Sequence, residues 1–272
     1  VIFIPHQSLF YVPFPALIDP EENYLIEKHT ILTVPSIQVL NLTRQHRNRI
    51  ATSGGANPGG ETPPLLIVGN PTMPRIADKN GDLFQLSNLP GAEREAVAIA
   101  QMLGVEPLLG ARATETTVSQ RMKSARLIHL ATHGLLDDFG YGIPGAIALT
   151  PSGGEDGLLT SGEIVTLTQN NPLNAELVVL SACETGLGDL SGDGVVGLSR
   201  SLIAAGVPSI VVSLWKVDDA ATKALMADFY ANRYKKDMDK AQALREAMLA
   251  AIEGNYPDPQ DWAAFTLIGE AE

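Results

Sequence analysis

The chain has 272 residues, 45% of them apolar, with 31 acidic against 19 basic side chains and a net charge of −12. That length bounds it to one large domain or two small ones with room for a sizeable core. The acidic balance argues against a nucleic-acid groove and against an anionic membrane surface. One cysteine cannot close an internal disulfide, which points to a reducing, cytoplasmic compartment. No apolar run reaches the roughly 18–20 residues of a spanning helix, and no signal-peptide pattern opens the chain. Val1-Ile2-Phe3-Ile4 already reads as a strand, so the natural start is expected upstream.

Residues 1–50 read as irregular β structure with a helical end. The prolines of Phe10-Tyr11-Val12-Pro13-Phe14-Pro15 suit edge strands and turns, and Ser36 is placed to cap a helix entering Ile37-Gln38-Val39. A Gly/Pro-rich break over 52–64 separates an amino-terminal part, 1–60, from a core, 61–272, within one integrated domain cut from a longer protein. Beyond the break the pattern turns α/β. Strands are predicted at 65–69, 105–108, 127–131, 146–149, 177–181, 209–214 and 264–268, with a loop from the first of them to Gly91. Helices are predicted at 92–102, 114–124, from 160, and at 194–205, 220–234 and 240–253. Thr114 caps the second of these, with Thr117 in the place of an acidic capping-box partner. The alternation implies a mostly parallel sheet with helices on both faces. No internal repeat is evident.

Two strands end in chemistry-bearing turns. The run Leu177-Val178-Val179-Leu180 leads into Ser181-Ala182-Cys183-Glu184-Thr185-Gly186, and fifty residues earlier Leu127-Ile128 leads through His129-Leu130-Ala131 to Thr132-His133-Gly134. Parallel neighbours would bring thiol and imidazole to one sheet edge, where open α/β sheets build their sites. A thiol is a weak nucleophile and a thiolate a strong one. An adjacent imidazole shares the proton and raises the thiolate fraction. The amides of Gly134 and Cys183 are candidate oxyanion donors, Gly134 having no side chain to block a substrate carbonyl. A lone cysteine after a strand is as commonly a small core residue. His129, inside its strand, reads as core, and it lies about 13 Å from His133 along that strand, too far to share a metal. No metal or organic cofactor is needed for this chemistry.

Taken together, these blocks resemble the caspase/separase clan of cysteine peptidases, and within it the bacterial CHAT-domain family, caspase-like domains associated with TPR repeats. Further blocks carry the likeness: Gly192-Asp193-Gly194-Val195-Val196-Gly197-Leu198-Ser199-Arg200, Ala204-Ala205-Gly206-Val207-Pro208, Val212-Ser213-Leu214-Trp215-Lys216-Val217-Asp218-Asp219, Trp262-Ala263-Ala264-Phe265, and the opening Ile4-Pro5-His6. The resemblance implies a caspase-like α/β three-layer sandwich with a mostly parallel central sheet and an irregular, β-containing amino-terminal part. It implies a His133–Cys183 dyad, peptide hydrolysis through a thioester, and upstream TPR-type repeats or another regulatory partner. Ser-Ala-Cys-Glu-Thr-Gly replaces the Gln-Ala-Cys-Arg-Gly of classical caspases, so Asp specificity does not carry over. By likeness to separases, Asp218 or Asp219 would receive a basic substrate residue, with Trp215 lining the cleft and Glu184 and Asp193 as weaker candidates. Asp218 is equally placed to cap the helix that follows. Self-cleavage after a basic residue is excluded in 184–194, which has no Lys or Arg; the stretch after Arg49 is the alternative.

Two rivals remain at this level. Gly192-Asp193-Gly194-Val195-Val196-Gly197 matches the dinucleotide fingerprint, yet about ten residues separate it from its strand, where the fingerprint should follow at once. A catalytically silent scaffold on a caspase-like fold is the stronger rival, because fold does not imply activity.

Overall fold

The computed structural model describes residues 1–54, 64–77, 81–135, 145–181 and 192–272. The amino-terminal part supplies β1 (Ile2–Phe3), two 3-10 turns (Gln7–Tyr11 and Phe14–Ala16), α1 (Leu25–Lys28), β2 (Leu32–Thr33) and α2 (Ile37–Gly54). There follow β3 (Leu65–Pro71), β4 (Arg75–Ala77), β5 (Leu83–Gln85), α3 (Pro90–Leu103), β6 (Leu108–Gly110), α4 (Glu115–Met122), β7 (Leu127–Ala131), β8 (Gly134–Leu135), β9 (Ala146–Ala148), β10 (Leu158–Thr160) and α5 (Ser161–Thr168). The last third holds β11 (Leu177–Leu180), α6 (Gly192–Ala204), β12 (Ser209–Ser213), α7 (Asp219–Lys235), α8 (Lys240–Glu253), α9 (Pro259–Trp262) and β13 (Phe265–Gly269).

Unbroken apolar runs become strands buried on both faces. Every residue of β7, β11 and β12 is buried. They lie at the centre of an eight-stranded sheet ordered β1-β2-β13-β12-β11-β7-β3-β6. All neighbours are parallel except β12 and β13, which are antiparallel. The two-residue period of a strand divides its side chains between two cores. Ile67, Leu127, Val179 and Val211 pack with α3, α7 and α8 on one face. Leu66, Val68, Ile128, Leu130, Val178 and Leu180 pack with α4, α5 and α6 on the other. The result is helix, sheet, helix.

Helix entries follow the expected capping chemistry. Ser36 Oγ accepts from Val39 N (3.2 Å), Thr114 Oγ1 from Thr117 N (3.1 Å), and Thr160 with Glu163 forms a capping box at α5.

Several expectations are corrected. The loop predicted up to Gly91 contains the antiparallel pair β4–β5. Strand β9 does not enter the central sheet; it is the middle of a separate antiparallel sheet, β10-β9-β8. The prolines near Phe10 sit in and between the 3-10 turns, not in an edge strand. The fingerprint glycines begin inside α6 and not in a strand-to-helix turn, which removes the geometry a pyrophosphate needs. The amino-terminal part, irregular with short strands and a helical end as expected, joins the central sheet, since β2 pairs with β13. Arg49 lies within α2, its Nη2 donating to Leu173 O (2.7 Å) and Gly206 O (3.0 Å); this helical, anchored residue is not presented for cleavage. Of the predicted break, residues 55–63 lie outside the described residues, as does the stretch 182–191 after β11. Among the described residues no helix is long and apolar enough to cross a membrane.

Candidate active site

The register of the two central strands sets the site. Leu127 to Leu130 stand beside Leu177 to Leu180, so Leu130 faces Leu180 across the ladder. His133 lies three residues past Leu130, and Cys183 three residues past Leu180. The two strands are parallel neighbours about 4.8 Å apart, so their carboxy-terminal ends lie on the same edge of the sheet. Cys183 and Glu184 themselves lie outside the described residues, as does the side chain of Asp193.

The turn after β7 is pinned on both sides of His133. Thr132 Oγ1 donates to Ala148 O (2.6 Å), and Ala148 N donates to His133 O (2.9 Å). This second bond makes Gly134 and Ile147, paired in the ladder, a non-hydrogen-bonded pair. The Gly134 N–H then faces away from β9, as an oxyanion donor must.

The imidazole is 2% exposed. Its Nε2 is 2.7 Å from Ser87 O. A carbonyl only accepts, so Nε2 carries the hydrogen and Nδ1 keeps the lone pair. Nδ1 is buried and has no hydrogen-bond partner among the described residues. Burial pushes the His133 pKa down, the Ser87 carbonyl opposes this by favouring the protonated ring, and the charge of Lys216 pushes it down further. With its pKa lowered the ring is chiefly neutral at pH 7, and its accepting nitrogen has no partner among the described residues. Sequence reasoning missed Ser87, and no signal pointed to it: the functional atom is a main-chain oxygen.

The segment after β12 is held firmly. Half-buried Trp215 donates from Nε1 to Gln260 O (3.0 Å) and packs against the α7–α8 core. Val217 is buried and Lys216 exposed. Asp218 Oδ1 accepts from Ala220 N (2.8 Å) and Ala221 N (3.2 Å), capping α7. Asp219 lies over Gly91 at the start of α3, where any Cβ would strike its carboxylate, and 3.9 Å from Arg94 Nη2. Asp218 thus caps a helix, while Asp219 sits against the first turn of α3 and pairs with Arg94.

His129 is fully buried, with Nδ1 3.0 Å from Tyr230 Oη and Nε2 3.2 Å from Glu95 Oε1. It faces the α3–α7 layer and ties both helices to β7, as a core histidine does.

The fold is that of caspase-like cysteine peptidases. The chain belongs to the CHAT domain family, whose profile matches residues 1–270. Tetratricopeptide repeat protein 28 of Mus musculus is 28% identical across 99% of this chain, and its Homo sapiens counterpart 29% identical across 99%. In each case the chain spans 12% of the relative's length. Among solved structures it is similar to the Arg-specific cysteine proteinase gingipain R, with a TM-score of 0.54 at 11% identity, covering 89% of this chain and 54% of that one. It is likewise similar to Saccharomyces cerevisiae separase in complex with securin, with a TM-score of 0.56 at 16% identity, covering 98% of this chain and 15% of that one.

Proposed function

We propose that this domain is a cysteine endopeptidase whose dyad is Cys183 and His133. The observation that carries the reading is the state of His133: one nitrogen locked onto Ser87 O, the other a buried acceptor with no partner among the described residues, at the end of the strand beside β11. In the proposed cycle Nδ1 takes the Cys183 proton. The thiolate attacks the peptide carbonyl, and the oxyanion is met by the amides of Gly134 and Cys183. The imidazolium returns its proton to the leaving amine as the C–N bond breaks, leaving a thioester. Water, deprotonated by His133, then cleaves the thioester and restores the thiol. The substrate is a protein or peptide. Tetratricopeptide repeats, named in the mammalian relatives, are the proposed regulatory partner. A basic residue before the scissile bond is the proposed preference, with Asp218, Asp219 and Trp215 at the cleft and Glu184 and Asp193 nearby.

The test is a peptide-library cleavage assay on the domain beside Cys183→Ala and His133→Ala. Turnover is expected in the parent and a loss on the order of 10³-fold or more in each variant. Because the His133 pKa is lowered, the acid limb of kcat/KM should fall below the ordinary histidine range near ~6.5. Cleavage that persists in Cys183→Ala would sink the mechanism. No cleavage by any of the three would favour the scaffold reading. Asp218→Asn separates its two roles: a KM rise for basic peptides at unchanged stability marks substrate binding, and an unchanged KM marks a cap alone.

A further inference from the structure

His133 is oriented by a main-chain oxygen, so whatever holds that main chain acts on the imidazole. Ser87 lies in the connection of residues 86–89 between β5 and α3. Leu89, the N-cap of α3, makes no side-chain capping bond. The upstream end of the connection is tied to the β3–β4 turn by Leu86 N donating to Pro74 O (3.3 Å). Among the described residues the downstream end is tied by the side chain of Asn70. The β3–β6 register shifts between Gly69 and Pro71, and at this bulge Asn70 adopts φ 43°. Asparagine enters the left-handed region more readily than other residues with a Cβ, though still at a cost. There its Oδ1 accepts from Leu89 N (2.8 Å) and its Nδ2 donates to Glu93 Oε2 (3.0 Å). A single amide thus takes up the N–H of the N-cap residue itself, as an N3 side chain does in a capping box, from a strand, two residues from the carbonyl that locks His133.

We propose that Asn70 is a positioning residue for His133. By fixing Leu89 it keeps Ser87 O against Nε2, which holds the ring as the Nε2–H tautomer and leaves the lone pair on Nδ1. Without that bond the connection slackens and the carbonyl withdraws. The buried ring then populates both tautomers, and the fraction carrying a basic Nδ1 falls. The catalytic consequence rests on the peptidase reading; the chain Asn70–Leu89–Ser87–His133 does not.

Two-bond 1H–15N spectra of the histidine rings test this on the intact domain. The parent is expected to show His133 as Nε2–H at pH 7. Asn70→Gly keeps the left-handed backbone accessible and removes only the amide. It is expected to populate both His133 tautomers and to lower kcat on the order of tenfold with KM little changed. Asn70→Asp, which keeps an acceptor for Leu89 N, is expected to retain the Nε2–H form. A parent ring found as Nδ1–H overturns the proposal without any variant, which covers the case of Asn70→Gly failing to fold. Folded Asn70→Gly with the parent's ring spectrum also overturns it. A tautomer change in Asn70→Gly beside a parent that cleaves no peptide would support the positioning chain while removing the peptidase reading.

Discussion

Buried ionisable side chains in this domain are explained by what each faces. His133 is pushed toward the neutral form by desolvation and by the charge of Lys216, against the Ser87 carbonyl, which accepts from Nε2 and favours the protonated ring. Glu115, at the start of α4, is pushed up to about 7, first by burial and then by Glu163, Glu155 and Asp156, while the Gly157 N–H it accepts (2.9 Å) acts the other way. Glu115, Glu155 and Glu163 bring carboxylate oxygens within 4.8 Å of one another. With a folded pKa above the unfolded value, the native state binds more protons than the unfolded chain between about 4.5 and about 7. Stability is therefore lost as pH rises through that window. Glu115→Gln keeps an oxygen for Gly157 N and removes the charge. Its melting temperature should match the parent's near pH 4 and exceed it at pH 8, by on the order of 1–3 kcal/mol of stability. Parity at pH 8 would contradict this account.

At the scale of elements, α3 connects most of what matters. It packs on β3 through Gly69, where a Cβ would collide with that of Ala96 and lie 2.8 Å from the Ala92 carbonyl. Its Glu95 meets His129 of β7, its first turn receives Asp219 of α7, and its entry carries Ser87. Gly69→Ala forces the whole helix outward, because the obstacles are backbone and a short side chain. A loss of about 1–3 kcal/mol is expected from overpacking, read by denaturant melts, together with lowered activity as Ser87 O leaves Nε2. Full activity at reduced stability would separate α3 from the site. The capping residues Ser36, Thr114 and Thr160 were legible in sequence because a cap is local, satisfied within three residues. Ser87 and the Asn70 bond to Leu89 N were not, since they act across gaps of 46 and 19 residues, at His133 and at Leu89.

For the molecule as a whole, the amino-terminal part is built into the sheet. Strand β2 completes the edge beyond β13, Arg49 bonds the carbonyls of Leu173 and Gly206, and Arg245 Nε donates to Ile26 O (2.8 Å). A chain of residues 61–272 alone would expose a β13 edge and the apolar faces that Leu32 and Val34 cover. We expect it to aggregate or to melt non-cooperatively by circular dichroism, whereas the full chain should unfold in one transition. Cooperative folding of 61–272 would make the amino-terminal part an independent unit.

The sequence alone determined the strands β7 and β11, the turn of Thr132 and His133 that ends the first of them, and the α/β class. Each of these is written in local runs: apolar stretches of strand length, small residues at their ends, caps next to their helices. Tertiary structure alone decided that β7 and β11 are neighbours in a register that sets Leu130 beside Leu180, that β9 belongs to a second sheet, and that Asp218 caps α7. It alone showed which imidazole nitrogen is locked. Strand order, register and hydrogen bonds to backbone carbonyls join residues distant in the chain, and no single stretch of side chains encodes them.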